Sequence, residues 1–380
     1  MRCLRRTKLL LILQDMKAKL GYLCSSESWG GLEMNHLRNA DWMNKRGHAV
    51  VVLCLKDSPI DKQAIGFNLP VIHIDKHKKY YDFAKARILV KILVDASITH
   101  LIIRSTYDIG ITASVKRKLG DKLHTSYFME MQLGVKKTDI LHTLRFRYLD
   151  VWSCPLNWLK TQVEELTKFR NKLVVIPSAM DLSQFDNLPD KLDSRKLLEL
   201  PEDTFIFGLI GRFDQQKGQL LLLEAMSKSK HKDYAVVLLG EPTLNEGDDY
   251  FNRMKSLIEQ KELNERVFIR PYRKDTETFY NAIDWLVMAT KAETFGMVTI
   301  EALASGTPVL GSNAGGTPEI LQNGVGGQLF QTLDAQDLAD QVDKILDEDV
   351  ARDPEKLKSM AKIYDHVSVC LQVEEVLGLV

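Results

Sequence analysis

Glu293 and Glu301 stand with seven residues between them in the stretch MATKAETFGMVTIEALASGTPVLGS. A helix beginning after Gly296 would turn the free amides of Gly296, Met297 and Val298 towards an anion, and its dipole would add about half a positive charge there. At 1.5 Å per residue, Glu301 would lie about 7 Å farther along, a separation that suits a diphosphate and its neighbouring ribose hydroxyls. Glu293, on the other side of the anion, would accept hydrogen bonds from a sugar. Upstream, GRFDQQKG sets Arg212 and Lys217 five residues apart, two fixed cations able to neutralise a diphosphate. This is not a Walker A loop, because Gln216 stands where glycine precedes the lysine and Gly218 where Ser or Thr follows it. Each feature also has a plain reading: a solvated Arg and Lys pair, and a helix N-terminal charge followed by a solvated face.

Two glycine pairs add to this set. In CSSESWGGLEM, Gly30 and Gly31 fall between a strand and a helix, where backbone amides can approach a phosphate without side-chain obstruction. A tight turn explains them equally, and the third glycine of G-x-G-x-x-G is missing. In SNAGGTPEIL, Gly315 and Gly316 precede Thr317, expected as the N-cap, and Pro318, expected at the first helical position. That loop either only caps a helix or closes a donor pocket.

Strand-to-helix loops of an open α/β sheet are where ligands bind, so the question becomes which elements flank these loops. Short runs rich in Val, Ile and Leu alternate with amphipathic stretches: LGYLC, a helix-like run from Gly31 to Lys45, AVVVLCL, VIHI, HLIIR, LHTSYF and KLVVIP. The rhythm restarts after a polar stretch from Asp181 to Pro201, with TFIFGLIG, AVVLLG, RVFIRP, DWLVMAT and TPVLGS. This is the pattern of βαβ units around a parallel sheet. With 380 residues, 45% of them hydrophobic and 27% charged, the chain has material for two cores. The expected division is residues 1–184, residues 185–364, and a helix over 365–380 with an apolar stripe of Val369, Val373, Val376 and Val380. Residues 1–18 read as a frayed extension, with the first strand beginning near Leu20. No apolar run approaches the roughly 20 residues that cross a bilayer. Cys3, Cys24, Cys54, Cys154 and Cys370 are scattered without a Cys-x-x-Cys pair, which suits a reducing cytosol and suggests no zinc or dithiol chemistry. The Asp-x-Asp at Asp347 to Asp349 falls at an acidic helix end and is discounted as a metal site.

The net charge is zero, yet residues 1–184 hold 30 Lys plus Arg against 17 Asp plus Glu, and the remainder 21 against 34. A basic half suits an anionic partner, either phosphate groups or an anionic lipid surface, or else the two halves attract one another across a cleft. No helix-turn-helix, zinc-finger or RNA-binding pattern accompanies the basic residues, so nucleic acid is not expected.

GRFDQQKG, then ETFGMVTIEALASGTPV, then GGTPE, after a first domain that contains WGG and ends VIPSAMDLSQF, resembles the family 4 retaining glycosyltransferases with the GT-B fold. The likeness runs from about Lys19 through nearly the whole chain. It implies an α/β chain of two Rossmann-like doubly wound domains facing a cleft, with the nucleotide sugar held mainly by the second and the last helix returning to the first. It further implies that Arg212 and Lys217 clamp the diphosphate, that Glu301 holds the ribose, and that Glu293 and the backbone of Phe295, Gly296, Met297 and Val298 contact sugar and phosphate. Gly30 and Gly31 would approach the phosphate from the other domain, and Tyr272 would lie by the base. The chain departs from the family where a histidine is common: EMQLG carries Glu130 instead, leaving Glu130, His124 or His142 for that catalytic position. A carboxylate there accepts a hydrogen bond but cannot donate one.

The expected activity is transfer of a sugar from a UDP- or GDP-linked donor to a hydroxyl of a glycan or lipid-linked acceptor, with retention of configuration. Arg212, Lys217, Glu293 and Glu130 would carry the catalysis, with no metal and no cofactor beyond the donor co-substrate. Surface polysaccharide or lipopolysaccharide assembly, in the cytoplasm or on the inner face of the membrane, is the expected setting. Two competitors remain. One is a non-catalytic sugar-nucleotide-binding protein of the same fold. The other is a nicotinamide-dependent oxidoreductase, disfavoured because AVVVLCLKD reaches Lys56 before Asp57 at the tip of the second strand.

Overall fold

A computed structural model describes residues 18–242, 249–348 and 353–380. The expected extension, apart from residue 18, lies outside them, as does Asp349. The described residues divide into two compact units, those up to 179 together with 366–380, and those from 180 to 365.

The first unit holds a seven-stranded sheet: β1 (Lys19–Cys24), β2 (Ala49–Leu55), β3 (Val71–Ile74), β4 (His100–Ile103), β5 (His124–Phe128), β6 (Val151–Cys154) and β7 (Lys172–Val175). All neighbours pair in parallel, in the order β3-β2-β1-β4-β5-β6-β7. β1 and β2 are buried along almost their whole length, as strands covered on both faces must be. Apolar side chains from the two faces form separate clusters, one around Trp152, Leu101 and Ile103, the other around Tyr22, Val52 and Leu37.

The second unit repeats the plan with β8 (Phe205–Ile210), β9 (Tyr234–Leu239), β10 (Val267–Arg270), β11 (Trp285–Met288), β12 (Val309–Ser312) and β13 (Gly327–Phe330). The order is β10-β9-β8-β11-β12-β13, again parallel. The strand order reverses between β1 and β4 in the first unit and between β8 and β11 in the second. At such a switch the following loops diverge and leave a crevice beyond the strand ends.

The first break falls at Ala179/Met180, ahead of the expected 184/185. Met180 is already bonded into the second unit, donating its N–H to the Tyr364 carbonyl at 3.0 Å and pairing with Asp365 as an isolated bridge. The polar stretch at Asp181 to Pro201 is not simple linker. It holds the helix Lys191–Leu197, capped by Asp190, whose carboxylate accepts from Leu192 N at 2.8 Å.

The last helix spans His366–Leu377. Val369, Cys370, Val373 and Leu377 bury themselves against Leu37, Ala40 and Met43 on the helix Gly31–Lys45. Val376 packs at the margin of this cluster. Val380, expected in the same stripe, lies beyond the helix end and is 85% exposed, so the apolar pattern outlasts the helix. No helix among the described residues is long and apolar enough to cross a membrane.

One charged clamp reinforces this packing. The Glu374 carboxylate, 5% exposed, takes Arg46 Nε at 2.8 Å and Nη2 at 2.7 Å, and His48 Nε2 at 2.7 Å. The Arg46 guanidinium, aided by His48 against the opposing effect of burial, holds its pKa down at about 2. A folded-state pKa below the unfolded one means stabilisation that is full above the ordinary glutamate range and lost as pH falls towards 2. Glu374→Ala is therefore expected to lower unfolding free energy by about 2 kcal/mol near neutral pH, with the difference shrinking below about pH 4. Urea denaturation of the two proteins across that range measures it.

Candidate functional site

In the second unit, the loops after β8 and β11 flank the strand-order switch, and their sequences bring Lys217 and Glu293 together. The β8 loop turns on Asp214, a buried carboxylate that accepts the backbone N–H groups of Gln216 at 2.9 Å and Lys217 at 3.2 Å. Gly218, at φ +79, N-caps the helix Gln219–Lys228, and a Cβ there would come within 2.4 Å of the Ala289 carbonyl oxygen. Glycine thus lets the β8 loop lie against the end of β11. Lys217 Nζ then reaches Glu293 Oε2 at 3.1 Å, with the two side chains 24% and 22% exposed. Arg212 projects outward from the same loop, 65% exposed, with Nη2 3.6 Å from Asp214 Oδ2.

Gly296, in the left-handed region at φ +86, N-caps the helix Met297–Ala304. The amides of Met297 and Val298 precede the first bond of that helix, from Thr299 N to the Gly296 carbonyl at 3.0 Å. The N-terminus is thus available to an anion in the sense that the helix geometry requires. The Phe295 side chain is buried with its ring 5.7 Å from that of Tyr364, so only its backbone faces the loop. Glu301, on the same helix, accepts a 2.5 Å hydrogen bond from the Tyr280 hydroxyl. Burial, reinforced by the Glu301 charge, pushes the Tyr280 phenol well above its ordinary pKa and keeps it a donor.

The glycine pair after β12 fixes the backbone of Glu293. Gly316 N donates to the Glu293 carbonyl at 2.9 Å, and a Cβ on Gly315 would come within 2.2 Å of that oxygen. The loop therefore does more than cap. Gly316, not Thr317, is the N-cap of the helix Thr317–Ile320, so Thr317 is its first residue and Pro318 its second. Tyr272 is not brought into this cluster. It is 58% exposed beyond β10, the edge strand, which β9 separates from β8. Asp347 is occupied by Lys230 at 2.5 Å and His231 at 2.9 Å.

In the first unit, Gly30 is extended and N-caps the helix Gly31–Lys45 beside the β1 and β4 switch. Both Gly30 and Gly31 are exposed, and a Cβ at either meets no crowding, so the fold alone does not demand glycine there. Glu130 lies just past β5 and is held by three donors: an ion pair to Arg104 Nη1, Ser178 Oγ at 2.9 Å and Asn35 Nδ2 at 3.3 Å. Burial and the Arg104 charge keep neighbouring His36 neutral, with its pKa pushed down to about 3. His124 cannot stand in for the missing histidine, because it opens β5 at the amino end of the sheet, away from the ligand edge. His142 sits on the helix Ile140–Phe146 with Nδ1 2.5 Å from its own cap, Asp139.

Sequence reasoning missed Asp214, Tyr280, and the Arg104, Asn35 and Ser178 partners of Glu130. An aspartate two and three residues before the bonded amides is a local turn signal, so Asp214 was readable. The others join residues far apart in the chain. A buried knot of the same kind ties Ser25 and His77 to Asp108, with His77 Nε2 3.0 Å from Asp108 Oδ1.

Residues 190–364 match the family model of the glycosyl transferases group 1. The D-inositol 3-phosphate glycosyltransferase of Corynebacterium jeikeium is 31% identical over 185 residues, covering 46% of this chain and 44% of that protein. Its counterpart in Corynebacterium kroppenstedtii is 32% identical over 187 residues, covering 47% and 41%. The match thus spans less than half the length of these relatives. Among solved structures, HepE of Anabaena in complex with UDP superimposes with a TM-score of 0.81 at 20% identity, over 95% of this chain and 100% of that one. A glycosyltransferase from Rickettsia africae gives 0.82 at 20% identity, over 95% and 98%. The chain therefore has the GT-B fold, and its residues 190–364 carry the pattern of the glycosyl transferases group 1.

Proposed function

We propose that the protein is a retaining, metal-independent glycosyltransferase that moves a hexosyl group from a UDP-sugar to a hydroxyl of a glycan or lipid-linked acceptor. The observation that carries this reading is the Lys217–Glu293 pair at the second unit's strand-order switch, beside the amide-rich start of the helix that bears Glu301. A diphosphate entering there takes the lysine and the helix amides, and Glu293 is released to accept hydrogen bonds from the donor sugar. Glu301, already bonded to Tyr280, receives a ribose hydroxyl. As the glycosidic bond breaks, negative charge grows on the departing diphosphate. Arg212, Lys217 and the amides of Gly296, Met297 and Val298 stabilise it, each such donor contributing about 3–4 kcal/mol in the transition state. These fixed charges take the role a bound metal has in other transferases, and no cofactor beyond the donor is invoked.

UDP is preferred over GDP as the carrier because the Anabaena neighbour is described in complex with UDP and with UDP-glucose. The first unit serves the acceptor, with Gly30 and Gly31 on its ligand edge. Its carboxylate at Glu130 has capacity for one further hydrogen bond after Arg104, Asn35 and Ser178, which suits a sugar hydroxyl. Ile140, Leu141 and Leu144 are 77%, 51% and 39% exposed on one short helix, with Lys136 and Arg147 beside them. That combination supports peripheral contact with an anionic membrane face and an acceptor used in surface polysaccharide assembly.

Saturation with UDP at 100 times its dissociation constant is expected to raise unfolding free energy by about 2.7 kcal/mol, an effect absent with NAD and lost in Glu301→Ala. Calorimetric melting measures both. Lys217→Ala is expected to lower kcat by about 100-fold or more while changing donor affinity much less, and an equal loss in both would remove its transition-state role. Turnover is expected to persist in excess chelator; loss of activity that manganese restores would sink the metal-independent mechanism.

A further inference from the structure

We infer that the first unit holds a built site for a phosphomonoester, and that its occupant is the phosphate of the acceptor. The second part rests on the transferase reading above. The site is a cavity of about 320 Å³ at the carboxyl edge of the sheet, lined by loops that follow β3, β4 and β5. That is the edge at which open α/β sheets bind ligands.

The fold leaves one buried charge of this unit without an ion-pair partner. Among the described residues three arginines are buried: Arg104, Arg145 and Arg195. Arg104 is paired with Glu130, and Arg195 Nη2 lies 2.8 Å from Asp284 Oδ2. Arg145, only 2% exposed, has no carboxylate. Its guanidinium stacks 4.5 Å over the Tyr80 ring and donates once, from Nη1 to the Lys79 carbonyl at 3.3 Å, while its Nε has no acceptor. A buried guanidinium is costly unless its donors are met, and this one lines the cavity. Trp152, in the same wall, presents a second buried donor, Nε1, that also has no acceptor.

Lys79, Lys136 and Lys137 complete the lining, and none of them forms an ion pair among the described residues. Burial, with Lys79 and Arg145 close by, depresses the Lys137 ammonium, so the fold gathers like charges against their mutual repulsion. No acidic side chain lines the cavity. Asp139, whose charge acts on Arg145, is engaged by its own helix start and by His142. Four cationic groups with two unmet buried donors suit a dianion better than a single carboxylate, and the volume admits a phosphate with part of a sugar ring. A soluble sugar phosphate and a phosphorylated lipid headgroup share this chemistry.

Isothermal titration of the full chain with a hexose 6-phosphate, the neutral hexose and vesicles containing phosphatidic acid tests the site. The hexose phosphate or the vesicles are expected to bind and the neutral hexose not. Arg145→Gln should weaken binding by about 30-fold or more, the cost of removing one partner of a buried charge pair. UDP affinity should be unchanged. If Arg145→Gln fails to fold by circular dichroism, the partly exposed pair Lys79→Gln and Lys137→Gln carries the same test. Tighter binding of the soluble probe assigns a free sugar phosphate; tighter vesicle binding that these variants abolish assigns a lipid headgroup. Equal binding of neutral hexose, phosphate binding untouched by every variant, or no binding of either phosphorylated probe overturns the inference. UDP binding sensitive to Glu301→Ala alongside any of those results leaves the donor reading standing. A hexose phosphate that binds through Arg145 but never receives sugar keeps the site and removes its role as acceptor subsite.

Discussion

An ammonium and a carboxylate 3.1 Å apart, Lys217 and Glu293, join loops that leave different strands, and the backbone around them is shaped to let them meet. Gly218 allows the first loop to touch Ala289, Asp214 fixes the turn that carries the lysine, and Gly315 and Gly316 seat the carbonyl of the glutamate. The pair is about a quarter exposed, so neither charge is deeply desolvated and either can exchange its partner for a ligand at modest cost. A site of this kind keeps its charges balanced when empty. In the proposed reading, the exchange of carboxylate for phosphate on one lysine would also free Glu293 for the sugar.

The first unit handles polar groups differently. Glu130 is buried among three donors with room for one more, and burial with the Arg104 charge keeps His36 neutral. On the same edge, Arg145 and the lysines lining its cavity form no ion pair among the described residues. The same sheet edge thus offers a carboxylate already held by three donors and a cationic cavity with no acidic lining, and the excess of basic over acidic residues in 1–184 is partly concentrated in the second.

Much of the fold was legible because parallel strands covered on both faces leave continuous apolar runs, as AVVVLCL and FIFGLI do. β6 and β13 escaped because neither is a run of Val, Ile and Leu, one reading VWSC and the other emerging from a run of glycines as GQLF. At the site, types and spacing singled out Arg212, Lys217, Glu293, Glu301 and the Gly296 helix start, and the family resemblance supplied the roles that the proposed reading gives them. What holds them was not legible. Tyr280 is 21 residues from Glu301, and Arg104 and Ser178 are 26 and 48 residues from Glu130, so only the folded sheet brings them together. Tyr272, which the resemblance puts by the base, follows the edge strand β10 and stands apart from the Lys217–Glu293 pair.

The helix His366–Leu377 completes an apolar cluster whose other members come from residues 20–179. A ribosome emits the whole second unit before that helix exists. During synthesis the face formed by Leu37, Ala40 and Met43 must therefore wait uncovered while residues 180–365 fold as an uninterrupted segment. The chain's order of completion is thus the reverse of its order of emergence, and the first unit reaches its final stability only once residues 366–377 have emerged. Any loss from residues 366–377 is then felt at the helix that begins with Gly31, more than 300 residues earlier in the sequence.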